Sequence, residues 1–261
     1  MKTKKSKSLA WLGYVAVFLL GFIVASSLYY APYLAKEGQI PERDNFQPVH
    51  ETIPILAVTV QKKQGLVGHA NVDIRPSEDN EGRILIETNP FVEPDTQYSA
   101  NIAVKVAENV TNVSMSNKEV IFSFDTGSIV IGGPSAGAAM TLLMISALTG
   151  RPIKDDVMIT GTISPNGRIG QIGDVIEKSD AAGMNKTSVL LVPPGQRTLT
   201  YYDRKVVEKK VNGKVTLIPV YIPKHLDINE YTRETYNMSV KEVSQIEDVM
   251  RYMLEESSVK K

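Results

Sequence analysis

Gly132-Gly133-Pro134-Ser135-Ala136-Gly137 is the stretch on which the fold turns. It leads into a run, 135–149, that is apolar almost all round, with Met140, Leu142, Leu143, Ile145 and Leu148. A helix apolar on every side is a buried one. Pro134 fixes its entry, and Gly150 with Pro152 stops it. One hydroxyl, on Ser135, therefore stands at the mouth of a core helix among residues with almost no side chain. Small neighbours let another backbone come close. N–H groups at a helix start face outward and favour negative charge. Gly132, Gly133 and Ala136 are thus candidates for meeting a substrate backbone or an oxyanion. A serine at a helix start more often serves as an N-cap, so a chemical role needs a second group.

Lys178 supplies one. A ten-residue helix is expected to run to Gly183, a C-cap glycine. Val175, Lys178 and Ala182 fall on one face of it, spaced by three and four. The lysine stem then packs inward. Desolvation favours the neutral amine, and a neutral amine can take a proton from a serine hydroxyl and return it to a leaving amine. Lys154, in a Pro-flanked loop, reads as exposed. Thr160, on a strand, could hold the amine by its hydroxyl, although strand threonines are mostly structural. A Ser-His-Asp arrangement would need His50, His69 or His225 beside Ser135. His50 falls in a linker and His225 in the least regular region.

Around this centre the elements read as interspersed strands and helices. Strands are expected at 55–60, 66–74, 83–88 and 120–124, and a helix from Pro94 with Tyr98, Ile102, Val106 and Val110 on its apolar face. A strand at 157–163, a turn at Pro165-Asn166-Gly167 and a short return at 168–172 follow. Next come a strand at 188–192, a hairpin at 206–222 around Asn212-Gly213, and a last helix from Ser244, capped through Glu247. No regular βαβ repeat appears, which predicts an α+β domain.

The N-terminus differs in kind. A basic tip, 1–8, precedes an uncharged stretch whose apolar centre, 9–30, has the length to cross a bilayer core of roughly 30 Å. Trp11 and Tyr29-Tyr30 sit near its ends, and lysines precede it, so the tip is expected in the cytoplasm and the rest outside. A cleaved signal peptide is the rival reading, but such apolar cores run about 7–15 residues. The polar segment 31–52, with Pro41 and Pro48, reads as a linker, 53–256 as the folded domain, and 257–261 as a frayed tail.

Composition narrows the chemistry. The chain has 261 residues and a net charge of +0, with nothing to attract nucleic acid. It has no cysteine, and its three histidines lie far apart, so neither thiol chemistry nor a metal site is expected. No G-x-x-x-x-G-K-[ST] pattern occurs, and no cofactor is implied.

Gly133-Pro134-Ser135-Ala136-Gly137, Thr160-Gly161, Ile172-Gly173, Glu177-Lys178 and 190–193 together resemble the proteolytic domain of Lon proteases, the Ser-Lys dyad peptidases. Lys178 follows Ser135 by 43 positions, the spacing of that dyad. The likeness is strongest over 132–194. It implies peptide-bond hydrolysis through an acyl-serine, with Ser135 as nucleophile, Lys178 as general base and Thr160 orienting the lysine. It also implies a fold akin to the second domain of ribosomal protein S5 and a ring, commonly a hexamer. Three positions depart from the pattern. The acidic residue often found three before the serine is Gly132, the Glu of Thr-Gly-Glu is Thr162, and the second glycine of Ile-Gly-Gly is Asp174. The segment 196–231 is longer than the family's usual connection, and the form expected is one without the AAA+ ATPase module.

Three readings follow. The first is a membrane-anchored, ATP-independent serine endopeptidase facing outward and cutting unfolded polypeptides; four N-x-[ST] sequons, at Asn109, Asn112, Asn185 and Asn237, permit glycosylation there. The second is a catalytically silent peptide-binding or assembly module in which Ser135 only caps. The third is an enzyme fed by a separate ATPase, which requires the domain to face the cytoplasm.

Overall fold

Alternating apolar residues build the main sheet. The computed structural model describes residues 21–22, 25–26, 46–59, 62–127, 130–211 and 214–256. The chain divides into two units, 1–45 and 46–261, and the second carries the sheets and their core. Strands β1 (Val49–Val58), β2 (Gly65–Pro76), β3 (Arg83–Ile86) and β5 (Lys118–Asp125) form a sheet in the order β1-β2-β5-β3, antiparallel except for β3 beside β5. Along β5, Val120, Phe122 and Phe124 point into the core, the period of two of a sheet buried on one face.

Helices α1 (Pro94–Thr111), α2 (Gly137–Thr149) and α5 (Ile246–Met253) share the core with this sheet. α2 is buried over Gly137 to Ala147, as its all-round apolar sequence predicts. α1 buries Ala100, Ala103 and Ala107 with Ile102 and Val106. Tyr98, expected on the inner face, is 67% exposed. The small residues set the buried stripe, because they let helices pack closely, and the ring is left outside.

A second core lies around a parallel sheet of β7 (Val157–Ile159), β10 (Val189–Val192) and β13 (Ser239–Glu242), in the order β13-β10-β7. Met158, Leu190 and Val240 pack there against Val175 and Ala182 of α3 (Val175–Met184) and Ile228 of α4 (Ile228–Tyr236). Asp180 ties the two helices, accepting hydrogen bonds from the Tyr231 and Tyr236 hydroxyls at 2.8 and 3.1 Å. Two short pairs, β4 (Phe91–Val92) with β6 (Val130–Ile131) and β8 (Thr162–Ile163) with β9 (Ile169–Gly170), and a long ribbon of β11 (Thr198–Val211) and β12 (Lys214–Asp227) complete an α+β fold.

Several expectations shift. β1 begins at Val49, within the stretch read as linker up to residue 52. Its polar residues lie on the strand's open side, where His50 meets Asp73 at 2.9 Å and Thr52 donates to Asn71 at 2.6 Å. α3 runs through Gly183 to Met184. That glycine is no C-cap; a side chain on it would collide with the Tyr236 ring. The N-cap of α5 is Gln245, one residue late, with Asp248 rather than Glu247 closing the capping box. The ribbon starts eight residues before the expected 206 and ends five after 222. The basic tip 1–8, most of the apolar span 9–30, the linker from 31 to 45, the turn at 212–213 and the tail 257–261 lie outside the described residues. Among the described residues no helix is long and apolar enough to cross a membrane.

Candidate active site

Ser135 sits in a 3-10 turn, Pro134–Ala136, and α2 begins only at Gly137. Gly133 enters the turn at φ 88°, a left-handed conformation that glycine adopts without strain. The N-cap positions are Gly133 and Ala136, and neither makes a side-chain cap; among the described residues the Ser135 hydroxyl makes no capping bond.

The turn is held by its main chain. Gly161 N–H donates to the Ser135 carbonyl at 2.9 Å, and Ala138 N–H donates to the Gly161 carbonyl at 3.0 Å. The Thr160 hydroxyl donates to the same Ser135 carbonyl at 3.5 Å. On the other side, the Thr96 hydroxyl donates to the Gly133 carbonyl at 3.1 Å. These bonds explain why the strand expected over 157–163 splits into β7 and β8. Thr160 N–H still donates to the Leu191 carbonyl of β10 at 3.1 Å, while the main chain of Gly161 turns to the serine turn. Thr160, 1% exposed, thus meets the Ser135 backbone.

Lys178 lies on the buried face of α3 and is 5% exposed. Burial pushes its amine down from the usual lysine value to about 8, against the opposing pull of the Asp174 carboxylate. Asp174 is the αL residue (φ 56°) from which α3 starts, and its carbonyl accepts from Lys178 N–H at 3.1 Å. Ser135 and Lys178 open into one cleft of about 510 Å³, whose wall also includes Gly132, Gly133, Ala136 and Asp174. Ile55 and Val58 of β1 add an apolar side. No hydrogen bond joins Ser135 to Lys178 among the described residues; such bonds are often long before substrate binds. No histidine lines the cleft. His50 is engaged with Asp73, and His225 with the Thr200 hydroxyl at 3.0 Å.

Two contributors were invisible in the sequence. A side chain at Gly132 would run into the carboxylate of Glu93, which also lines the cleft. Glu93 thus brings an acid to this mouth from 39 positions upstream, where Gly132 has no side chain. Gln196 bonds the main chain of Ile172, just before α3. No local pattern marks either residue, because both act across the fold.

The fold and cleft define a class: an α+β domain that places a serine and a buried, weakly basic lysine in one groove. Comparison with known proteins says what the chain is similar to. The family model of the Lon protease (S16) C-terminal proteolytic domain matches residues 96–222. The Lon protease of Desulfatibacillum aliphaticivorans is 31% identical over 177 residues, 66% of this chain and 20% of that protein. The Lon protease of Trichlorobacter lovleyi is 35% identical over 102 residues, 39% of this chain and 12% of that protein. The mitochondrial Lon protease homolog of Zea mays is 33% identical over 100 residues, 38% and 10% of the two chains. The folded domain is thus of the Lon proteolytic type, and the chain spans a fifth or less of these relatives' own length.

Proposed function

We propose that this domain is a serine endopeptidase that cuts polypeptides with a Ser135–Lys178 dyad. One observation carries the reading: a hydroxyl that caps no helix shares a cleft with an amine that burial holds near pH 8. In its neutral form Lys178 takes the proton from Ser135 Oγ as the oxygen attacks the scissile carbonyl. The tetrahedral oxyanion forms at the glycine-rich mouth, where each well-aimed N–H donor contributes about 3 kcal/mol to lowering the barrier. Lys178 then returns the proton to the leaving amine, and an acyl-serine is left. Water, deprotonated by the same lysine, releases the acid and restores the hydroxyl. Thr160 and Gly161 hold the Ser135 backbone in place throughout.

The finer reading is of an enzyme anchored in the cell membrane by 9–30, facing outward and working without nucleotide on unfolded chains, as a homo-oligomer that could be a ring. The uncharged span, the lysines before it and the absence of a nucleotide-binding pattern from these 261 residues support it. The test is incubation of the full chain, in detergent and without nucleotide, with an unfolded protein. Cleavage by the wild type but not by Ser135→Ala or Lys178→Ala is the expected result. Equal cleavage by Ser135→Ala overturns the dyad. The rival reading, a silent peptide-binding module, draws on the missing bond between Ser135 and Lys178. Failure of a serine-directed acylating reagent to label Ser135 would favour it.

A further inference from the structure

The ribbon of β11 and β12 runs 14 residues on each strand, roughly 45 Å. Among the described residues, no third strand pairs with either edge. Such a ribbon is marginal in water by itself, and this one carries exposed apolar residues on both faces. Tyr202, Val206 and Leu217 are exposed on one, and Tyr201, Val207 and Ile222 on the other.

Its two edges are not alike. Pro219 and Pro223 stand on β12 with one parity, opposite Val206 and Tyr202, and the ladder runs unbroken past both. A proline has no N–H to give, so it is accommodated where that position faces away from the partner strand. The outer edge of β12 therefore lacks donors at 219 and 223 and resists a further strand. β11 carries no proline. By the same register, the main-chain groups of Tyr202, Arg204, Val206 and Glu208 face its open edge.

The charges on that edge are self-complementary. Suppose two copies of β11 are laid antiparallel with Val206 on the two-fold axis. Arg204 then stands opposite the partner's Glu208, and Asp203 opposite the partner's Lys209. Symmetry doubles both pairs. Shifting the axis by one residue, to Lys205 or to Val207, sets Lys205 against the partner's Lys205 or Lys209. Arg204, Glu208 and Lys209 take no ion-pair partner within the copy among the described residues, while Asp203 already meets Lys224 at 3.4 Å. We infer that β11 is a homotypic docking edge. Two copies of this chain join there into a four-stranded sheet, β12-β11-β11-β12, which ends at the prolines on both sides. An isologous contact of this kind closes on itself. It gives the open main-chain groups of β11 partners that one copy leaves to water.

The test uses the full chain in detergent. The protein has no cysteine, so Val206→Cys introduces one thiol, placed on the proposed axis. Mild oxidation is expected to convert most of it to a disulfide dimer and to leave Val220→Cys, on the outer strand, uncrosslinked. Opposed charges across strands attract and like charges repel. Glu208→Arg is therefore expected to raise the half-association concentration, read by sedimentation, by about tenfold or more. Arg204→Glu combined with Glu208→Arg restores both pairs, and with them association, which excludes simple misfolding of the single variant. The inference is overturned if Val206→Cys crosslinks no better than Val220→Cys, or if Glu208→Arg leaves association unchanged. It is also overturned if Glu208→Arg leaves the mass unchanged and instead strengthens binding to anionic vesicles, since a lipid surface would then be the occupant.

Discussion

Gln196 brackets the main chain of Ile172: the Ile172 N–H donates to its Oε1 at 2.9 Å, and its Nε2 donates to the Ile172 carbonyl at 2.7 Å. Ile172 leads directly into the turn that launches α3 and Lys178. The Gln196 side chain is mostly buried, so its removal leaves two backbone groups unsatisfied. Gln196→Ala should cost about 1–3 kcal/mol in denaturant melts and lower kcat. Gln196→Glu should also lose activity, because a carboxylate can accept from Ile172 N–H but cannot donate to its carbonyl. Unchanged kcat in both variants would show that this clamp does not position the lysine.

The dyad reading fixes a pH profile. Lys178 must be neutral to act, and its amine titrates at about 8. The rate should rise with pH, with the midpoint of its acid limb near 8 and a plateau above. Asp174→Asn removes the carboxylate that favours the charged amine and keeps a side chain tolerant of the αL backbone, so the limb should move to lower pH. A limb that stays in place or moves up would remove Asp174 from the account.

The same shift has a stability consequence. The folded-state value, about 8, lies below the ordinary lysine value of 10.5. Between them the unfolded chain binds more protons than the folded one, so stability rises with pH across that window. Lys178→Met should flatten this rise in urea melts taken from pH 8 to 10.5. An undiminished slope would mean that another group titrates there.

At Gly65 the main chain of β2 lies close against the lysine helix. A Cβ there would overlap the Glu177 carbonyl, which is backbone and cannot swing aside. Gly65→Ala should destabilise by about 1–3 kcal/mol and reduce activity by displacing α3. Gly173 lines the same cleft, but a Cβ on it meets nothing within 4 Å. Gly173→Ala should change stability by less than about 0.5 kcal/mol. Thermal melts of the pair would separate crowding from a general intolerance of alanine.

Asp248 closes the start of α5, accepting from Ser244 N–H and Gln245 N–H, both at 3.1 Å. Asp248→Ala should cost about 1–2 kcal/mol without moving the pH profile of cleavage. A changed profile would place α5 closer to the chemistry than this fold does.

Periodicity made much of this legible. The all-round apolar run 135–149 announced a core helix, and the spacing of Val175, Lys178 and Ala182 announced a lysine turned inward. Both signals are local, since they need only the pitch of a helix. Errors came where tertiary contact overrode local pattern. Tyr98 kept the period of its helix but lost its place to a narrower alanine stripe. The polar start of β1 read as linker because its pairing partners, up to Ile74, are distant in the chain. The 157–163 strand broke because Gly161 gives both its main-chain groups to the start of the serine helix.

The sequence by itself determined the chemistry at hand: one serine among glycines, one lysine on an apolar helix face, no thiol and a family spacing between the two. Those are properties of residue type and interval, which folding does not alter. Only the tertiary structure decided what each group meets. It turned Thr160 to the Ser135 carbonyl, brought the Glu93 carboxylate to the bare side of Gly132, and locked Ile172 with Gln196. It also left one edge of the ribbon open while prolines closed the other. Such contacts join residues tens of positions apart, and their partners are set by packing of the whole core, which no short window of sequence records.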